Sequence, residues 1–528
     1  MRFIRFILYI LLSNGYVYAD ALMVNKSMFN PSLAKYFVTE QGIRIELELS
    51  EENFESFADL YPNSLRQVMG LQLSPIIKRS KLFLKNKLFI VADEKALVGS
   101  VVSMHGGKKI VRDPKTYEVL KPQPKNAPAM LYISIDYPFV SEKPKKIDLI
   151  FQGNATLGFI LYHKKQVVND FAYLNPKQTL SLNWEDPFYS GFTSNTLKRL
   201  YRYPQMVYLY VEPRLVKLES LTRLKDIVEL TSFTSSPKNS ERLNALQEHV
   251  QNYFREDDAL LINTQHTQAD KIIVDYFEVS TSGLKILDNI SQVNEETIYV
   301  GISQQYYVNK LPQDIQYKWQ YLYKKIPKIP FSAEDPVGPY PSFIYQDDPV
   351  FRWENLIKDK TEPKIIPVRT KTGVNWNLPI LGETKVWSEL PTQEQSTEII
   401  KQTLENIRTA FIEKREESLS KELSKVLLSE STTVIKKELS KLFTPSVVRG
   451  GVGAIEEFGT LSVDKIRALK DADGFSANVS GEVNVIAKHW GHSDRRALKY
   501  QLIIDMIEKD GEWFIKDFSL LDLKDKTS

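Results

Sequence analysis

In the stretch YFVTEQGIRIELELS, Ile43, Ile45, Leu47 and Leu49 alternate with Arg44, Glu46 and Glu48. An extended chain points successive side chains to opposite faces, so this alternation demands a strand with one face buried and one in water. The signal recurs in LYISIDY, with Leu131, Ile133 and Ile135 on one face, and in KIDLIFQG, LGFILYHKKQVV, QTLSLNW, MVYLYVEPRLVKLES, KIIVDYFEV, ETIYVGISQQYYV and DIQYKWQYLY. Short strands at close spacing, with Gly, Asn and Pro between them, predict β-rich, sandwich-like modules. LFLKNKLFIVADEKALVGSVVSM is expected to add two or three strands, and EENFESFADLYP a short helix started by Ser50. The first amphipathic helix is expected over residues 240–254, with Leu243, Leu246, Val250 and Phe254 on one side behind an N-cap Ser240.

The pattern then changes twice. Residues 326–350 are dense in proline, which fixes φ and removes donors, and they read as a stiff, extended connection. FRWENLIK reads as a short helix and residues 361–391 as irregular. After Pro391 the chain turns helical, with Ile400, Leu404, Ile407 and Phe411 on one stripe, and three strands follow with Asp510-Gly511 at a hairpin tip. Helices followed by an antiparallel meander predict an α+β domain. Its element order and its closing GEWFIKDF strand are similar to the cone-shaped fold of the ketosteroid isomerase and nuclear transport factor superfamily. The expected organisation is α+β and multidomain: a signal peptide (1–19), a β-rich module (20–140), one or more sandwich-like modules (141–325), a Pro-rich connection (326–391) and the C-terminal domain (392–528).

Residues 1–19 read as a secretory signal. Arg2 and Arg5 precede the apolar run FILYILL, and Val17 and Ala19 suit a cleavage site before Asp20. No later segment is long and apolar enough to read as a spanning helix. The 528 residues include no Cys, which excludes disulfides, thiolate metal sites, a cysteine nucleophile and lipoprotein-type attachment, and leaves core burial to hold the fold. Lys and Arg number 69 against 66 Asp and Glu, so no bulk electrostatic grip on nucleic acid is expected. These features imply a periplasmic or extracellular protein.

Three segments could carry chemistry. In AKHWGHSDRRALKYQ, His489 and His492 stand three apart, a spacing that faces opposite sides of a strand. A bulge at Gly491 would bring both imidazoles to one face, where Asp494 could complete a His-His-carboxylate set for zinc or a similar divalent metal. The simpler reading is a turn at the end of a strand. In LNWEDPFYSGF, the aromatics Trp184 and Tyr189 join Glu185 and Asp186 at a proline-broken strand end, which reads as a plug on a sandwich edge or as a contact surface. In MVYLYVEPRLVKLES, Tyr208 and Tyr210 face away from Val207, Leu209 and Val211, either to pack on a second sheet or to meet a partner. A cone-like domain would also enclose an apolar pocket, for which Trp490, Tyr500 and Trp513 are the candidate lining. MHGGKK at 104–109 reads as a solvated turn. No Walker, Rossmann or GxSxG pattern occurs, and no catalytic residue is assigned.

The blocks NDFAYLNPKQTLSLNWEDPFYSGF and YLYVEPRLVKLE resemble those of a family of exported bacterial proteins of uncharacterised activity, which carry D-W-E-D-P-W-Y-S-R-F followed by F-L-Y-V-E-P-x-E-V-R. GIRIELEL, DDPVFRWENLIK and HWGH extend the resemblance over nearly the whole chain after the signal. Asn183 and Phe188 replace the family's more usual Asp and Trp, and Asp494 stands where its terminal block often continues H-W-G-H-x-H. The resemblance implies a shared multidomain architecture and an envelope location in Gram-negative bacteria. The expectation from the whole sequence is a non-enzymatic binding or assembly protein with an envelope protein partner. A metal-dependent protein using HWGH and a small-molecule pocket or enzyme in the C-terminal domain are the alternatives.

Overall fold

The computed structural model describes residues 30–111, 120–140, 143–174, 176–234, 240–256, 259–280, 283–287, 295–319, 326–357, 362–369, 376–380, 383–387, 390–428, 432–445, 453–470 and 472–526. The expected signal segment lies outside them. The fold is α+β and strand-rich, with several separate sheets. Contacts divide it into two compact units: one holds the chain up to Pro204 with Arg223–Lys225 and Tyr276–Tyr299, the other holds Gln205–Thr222, Asp226–Asp275 and Val300–Ser528.

The first unit is built from β1 (Ser32–Val38), β2 (Gly42–Ser50), β3 (Leu88–Ala92), β4 (Lys95–Ala96), β5 (Ser100–Lys108), β6 (Ala129–Pro138), β7 (Lys146–Phe151), β8 (Gly158–His163), β9 (Gln166–Tyr173), β10 (Lys177–Ser181) and β11 (Gly191–Phe192). They form two sheets, of order β5-β6-β2-β1-β8-β9 and β11-β10-β7-β3-β4. The alternating residues of GIRIELEL do what their spacing demands: Ile43, Ile45, Leu47 and Leu49 are buried, and Arg44 and Glu46 face water. Their inward faces share one apolar core with Ile133, Ile90, Leu149 and Leu180. Strands from either side of the expected boundary at 140 pair with one another, β1 with β8 in parallel (Tyr36↔Leu161) and β3 with β7 antiparallel (Ile90↔Leu149). Two helices join this unit, α1 (Asn63–Val68) and α2 (Ile76–Asn86). The segment LFLKN, expected as strand, is the end of α2, because Arg79, Ser80, Phe83 and Leu84 are buried at helical spacing behind Pro75. MHGGK continues β5 instead of turning.

The second unit opens with the hairpin of β12 (Gln205–Glu212) and β13 (Leu215–Arg223), in register Tyr208↔Glu219 and Tyr210↔Lys217. In chain order there follow α3 (Leu224–Leu230), α4 (Ser240–Arg255), β14 (Leu260–Ile262), β15 (Gln265–His266), β16 (Lys271–Ser280), β17 (Gly283–Ile286), β18 (Ile298–Tyr307), β19 (Asp314–Lys318), β20 (Lys328–Asp335), β21 (Gly338–Tyr345) and β22 (Val350–Glu354), of which β17, the end of β16 and the first residues of α3 and β18 are counted with the first unit. Leu246, Val250 and Phe254 of α4 are buried as expected, while the side chain of Leu243 lies outside the described residues. The proline-dense stretch is not an unpaired connection. β20 pairs in parallel with β12 (Tyr208↔Ser332) and antiparallel with β21 (Phe331↔Ser342). Pro339 and Pro341 are tolerated because β21 ends the sheet order, where a strand can lack a donor on its outer side. FRWE is the strand β22, paired with β19, not a helix, and its Trp353 points inward. Within the stretch expected to be irregular, β23 (Trp376–Ile380) and β24 (Glu383–Trp387) pair as a hairpin.

The C-terminal portion of this unit has three helices, α5 (Gln393–Ala410), α6 (Glu416–Leu423) and α7 (Thr432–Phe443), then the meander β25 (Ala454–Ala468), β26 (Gly474–His489), β27 (His492–Lys509) and β28 (Glu512–Asp525). A capping box starts α5: Thr392 accepts from the Gln395 backbone at 3.2 Å while Gln395 accepts from the Thr392 backbone at 2.9 Å. The stripe Ile400, Leu404, Ile407 and Phe411 is buried against Val463, Phe475, Ile504 and Phe518. Register shifts interrupt the pairing of β25 with β26 and of β27 with β28, the irregularities at which long strands bend. Residues 362–369 join this core, for Asn406 both accepts from Ile366 at 3.0 Å and donates to it at 2.7 Å. No helix among the described residues is long and apolar enough to cross a membrane.

Candidate functional site

The NWEDPFYSGF block of the first unit is a turn wired by its own side chains. Asn183 Oδ1 accepts from the backbones of Glu185 and Asp186 at 3.1 and 2.9 Å, an Asx turn that sends the two carboxylates apart. Asp186 caps the short helix at Pro187–Tyr189 and accepts from Arg223 through both oxygens at 3.0 Å each. Burial alone would raise the Asp186 carboxyl, but the hydrogen bonds and charge of Arg223 hold it below its ordinary value. Glu185 and Tyr189 stay exposed. The Phe188 ring takes two guanidinium groups, Arg199 at 4.0 Å and Arg223 at 4.3 Å from its centroid. Arg199 is buried and donates to the carbonyls of Tyr201, Val167 and Phe188.

Beneath this turn the structure places a serine–histidine pair that the sequence did not suggest. Ser190 Oγ lies 2.8 Å from His163 Nδ1 and accepts from the Asn183 backbone at 2.9 Å. Burial, and then the charge of Lys164, lowers the His163 imidazole from its ordinary 6.5 to about 4, so it is neutral at physiological pH. Trp184 seals it edge-on with ring centroids 4.5 Å apart, and its Nε1 donates to the Pro144 carbonyl at 2.7 Å. The pair has the atoms of a nucleophile and base, and both residues are buried, His163 at 0% and Ser190 at 5% exposure.

The HWGH block of the second unit is the tip of the β26–β27 hairpin. Trp490 and Gly491 both have positive φ, +49° and +79°, the left-handed pair of a two-residue turn. His489 therefore stands directly opposite His492, and Ala487 opposite Asp494. No bulge is needed to bring the two imidazoles to one face, since the chain reverses between them. His489 is buried, and among the described residues no three His, Asp or Glu side chains are grouped to hold a metal ion, so His489, His492 and Asp494 do not form such a set.

The tip docks on the sheet face made by β13, β12 and β20. The Trp490 backbone donates to Glu219 Oε2 at 2.5 Å and the Gly491 backbone to the Tyr210 hydroxyl at 2.8 Å. Lys217 bridges the contact, 2.9 Å from Glu219 and 2.5 Å from the Lys488 carbonyl, with its ammonium 4.5 Å over the Tyr210 ring. Glu334 takes Lys488 at 3.0 Å and Ser493 at 3.2 Å. A Cβ on Gly491 would lie 2.3 Å from the Tyr208 ring. Burial, and then the charge of Glu219, pushes the Tyr210 hydroxyl well above its ordinary value and the Asp275 carboxyl above its own. Tyr208 and Tyr210 are thus covered from within the chain. The alternation of Lys217 and Glu219 opposite the tyrosines was the available signal for this face; Glu334 lay in the stretch read as a connection.

Trp490, Tyr500 and Trp513, the candidate pocket lining, fall in two places. Trp490 sits in the docked turn, whereas Tyr500 and Trp513 are buried members of the C-terminal apolar core, packed on Phe458 and Phe475 respectively.

No protein-family model and no curated protein matches the chain. Among solved structures it is similar to the intermembrane space region of the chloroplast protein ARC6, at 14% identity and a TM-score of 0.19, over 24% of this chain and 95% of that one. A likeness of that size carries no argument.

Proposed function

We propose that this is an exported, periplasmic protein that acts by binding or assembly at the cell envelope and not by catalysis, and that residues 393–526 form a cone of the ketosteroid isomerase and nuclear transport factor kind. One observation carries the first reading: polar groups at both blocks that look chemical are engaged within the chain, Asp186 by Arg223, Ser190 by His163 and Asn183, and Glu219, beneath the HWGH turn, by Trp490 and Lys217. What remains outward in the aromatic block is Glu185 and Tyr189, a contact edge. The cone reading is supported by three helices followed by a four-stranded meander whose pairing is interrupted by register shifts.

Cell fractionation combined with photo-crosslinking from positions 185 and 189 tests the first reading. The expected result is a discrete adduct with one envelope protein in the periplasmic fraction. Recovery in the cytoplasm overturns the export reading. Stoichiometric metal in tag-free protein that disappears in His489→Ala/His492→Ala, or turnover of a small molecule, overturns the binding reading.

A further inference from the structure

Residues 60–92 contain six cations, Arg66, Lys78, Arg79, Lys81, Lys85 and Lys87, and no Asp or Glu. The fold sorts these cations by role. Arg66 donates to the carbonyls of Ala58 and Gln72 at 2.8 Å each, and Arg79 to that of Tyr61 at 2.6 Å, so both are internal braces. Lys87 reaches Asp59 at 3.9 Å. Lys78, Lys81 and Lys85 stay on the outer face of α2, and none of the three is paired with a described residue.

The same face is apolar where a solvated helix would be polar. Ile77 is 68% exposed and Leu82 52%, and the segment leading into α2 adds Val68 at 85% and Leu73 at 51%. At 100° per residue, Ile77 and Leu82 bracket the three lysines within an arc of about 140°. The opposite arc, Arg79, Ser80, Phe83 and Leu84, is the one buried in the unit, so the core does not require Ile77 or Leu82.

We propose that this face, Val68, Leu73, Ile77 and Leu82 with Lys78, Lys81 and Lys85, docks the protein on an anionic lipid surface. Apolar side chains on a basic helix face enter the boundary between headgroups and acyl chains, while the ammonium groups meet lipid phosphates. The uniform positive sign selects an anionic partner, and the exposed aliphatic groups select a lipid over a purely polar polyanion such as nucleic acid. This inference does not rest on the proposed function.

Flotation of the full chain with phosphatidylcholine vesicles, with and without one third phosphatidylglycerol, tests it. The chain is expected to float with the anionic vesicles at low salt and to be released at high salt. Lys78→Glu, Lys81→Glu and Lys85→Glu together should weaken binding about a hundredfold, at about fivefold or more per lysine. Ile77→Ser with Leu82→Ser should weaken it about tenfold. Melting temperature is expected to hold in both variants, because all five side chains face water. Equal flotation with neutral and anionic vesicles, or variants that float like the parent, overturns the proposal; binding through the apolar run at residues 6–12 would give that pattern. An oligomer that the variants dissociate, in a chain that ignores vesicles, assigns the face to a second copy and also overturns it.

Discussion

The turn at 183–192 in the first unit and the hairpin tip at 489–492 in the second each carry a Trp and a Gly and are held by different means. The first is a charge-and-stacking device: a carboxylate and an aromatic ring shared by buried guanidinium groups, with an imidazole kept neutral beneath. The second is a backbone device. Its left-handed turn aims two N–H groups at a carboxylate and a hydroxyl on another sheet, and a glycine lies flat on a tyrosine ring. The two therefore break differently, the first through loss of charge partners and the second through loss of space.

The largest effect is expected in the first region. Asp186→Ala removes the carboxylate that accepts from the buried Arg223 through both oxygens and should cost about 3 kcal/mol in urea unfolding. A loss under about 1 kcal/mol would mean that the pair is no more than a surface contact. Acid should act on the same region through His163. Its folded-state value lies below the unfolded one, so the stability it contributes is fully present above pH 6.5 and is lost as pH falls towards about 4. A shift of that size is worth about 3 kcal/mol. Melting followed across this window should show the loss in the parent and a flatter curve in His163→Phe.

In the second region, Gly491→Ala meets both the positive φ and the Tyr208 ring, and should destabilise by about 2 kcal/mol. Adding Tyr208→Ala should restore part of that loss, as a double-mutant cycle would measure; a fully additive pair would show that strain and not contact sets the cost. Tyr210→Phe removes only the hydroxyl that accepts from Gly491 and should cost about 1 kcal/mol. The smallest effect concerns Asp275. Its raised folded-state value means stability is present at low pH and lost as pH rises through that value. Asp275→Asn should therefore raise the melting temperature slightly at neutral pH and leave it unchanged in acid.

Much of this was legible in the linear pattern, and the failures have local causes. The alternation of GIRIELEL, the α5 stripe and the Asp510-Gly511 turn are carried by neighbouring residues, and each folds as its spacing dictates. The β20–β21 pair was missed because proline reads as a breaker, while at the end of a sheet order it costs no required hydrogen bond. The HWGH geometry was missed because spacing along one strand says nothing when the chain reverses between the two residues. Ser190 and His163 are 27 positions apart, and only the pairing of β8 within its sheet and the Asx turn at Asn183 bring them together.

In GIRIELEL, the α5 stripe and the Asp510-Gly511 turn the sequence alone determined what extends, what coils and which face turns inward, because those follow from side-chain period and turn chemistry over a few residues. The tertiary structure decided the partners: that Asp186 meets Arg223, that Glu219 receives the Trp490 backbone, and that Ile77 and Leu82 are left in water. Those outcomes depend on which surfaces meet after the strands pair, and a hydrogen bond or a stacked ring acts only at a distance that folding must first close.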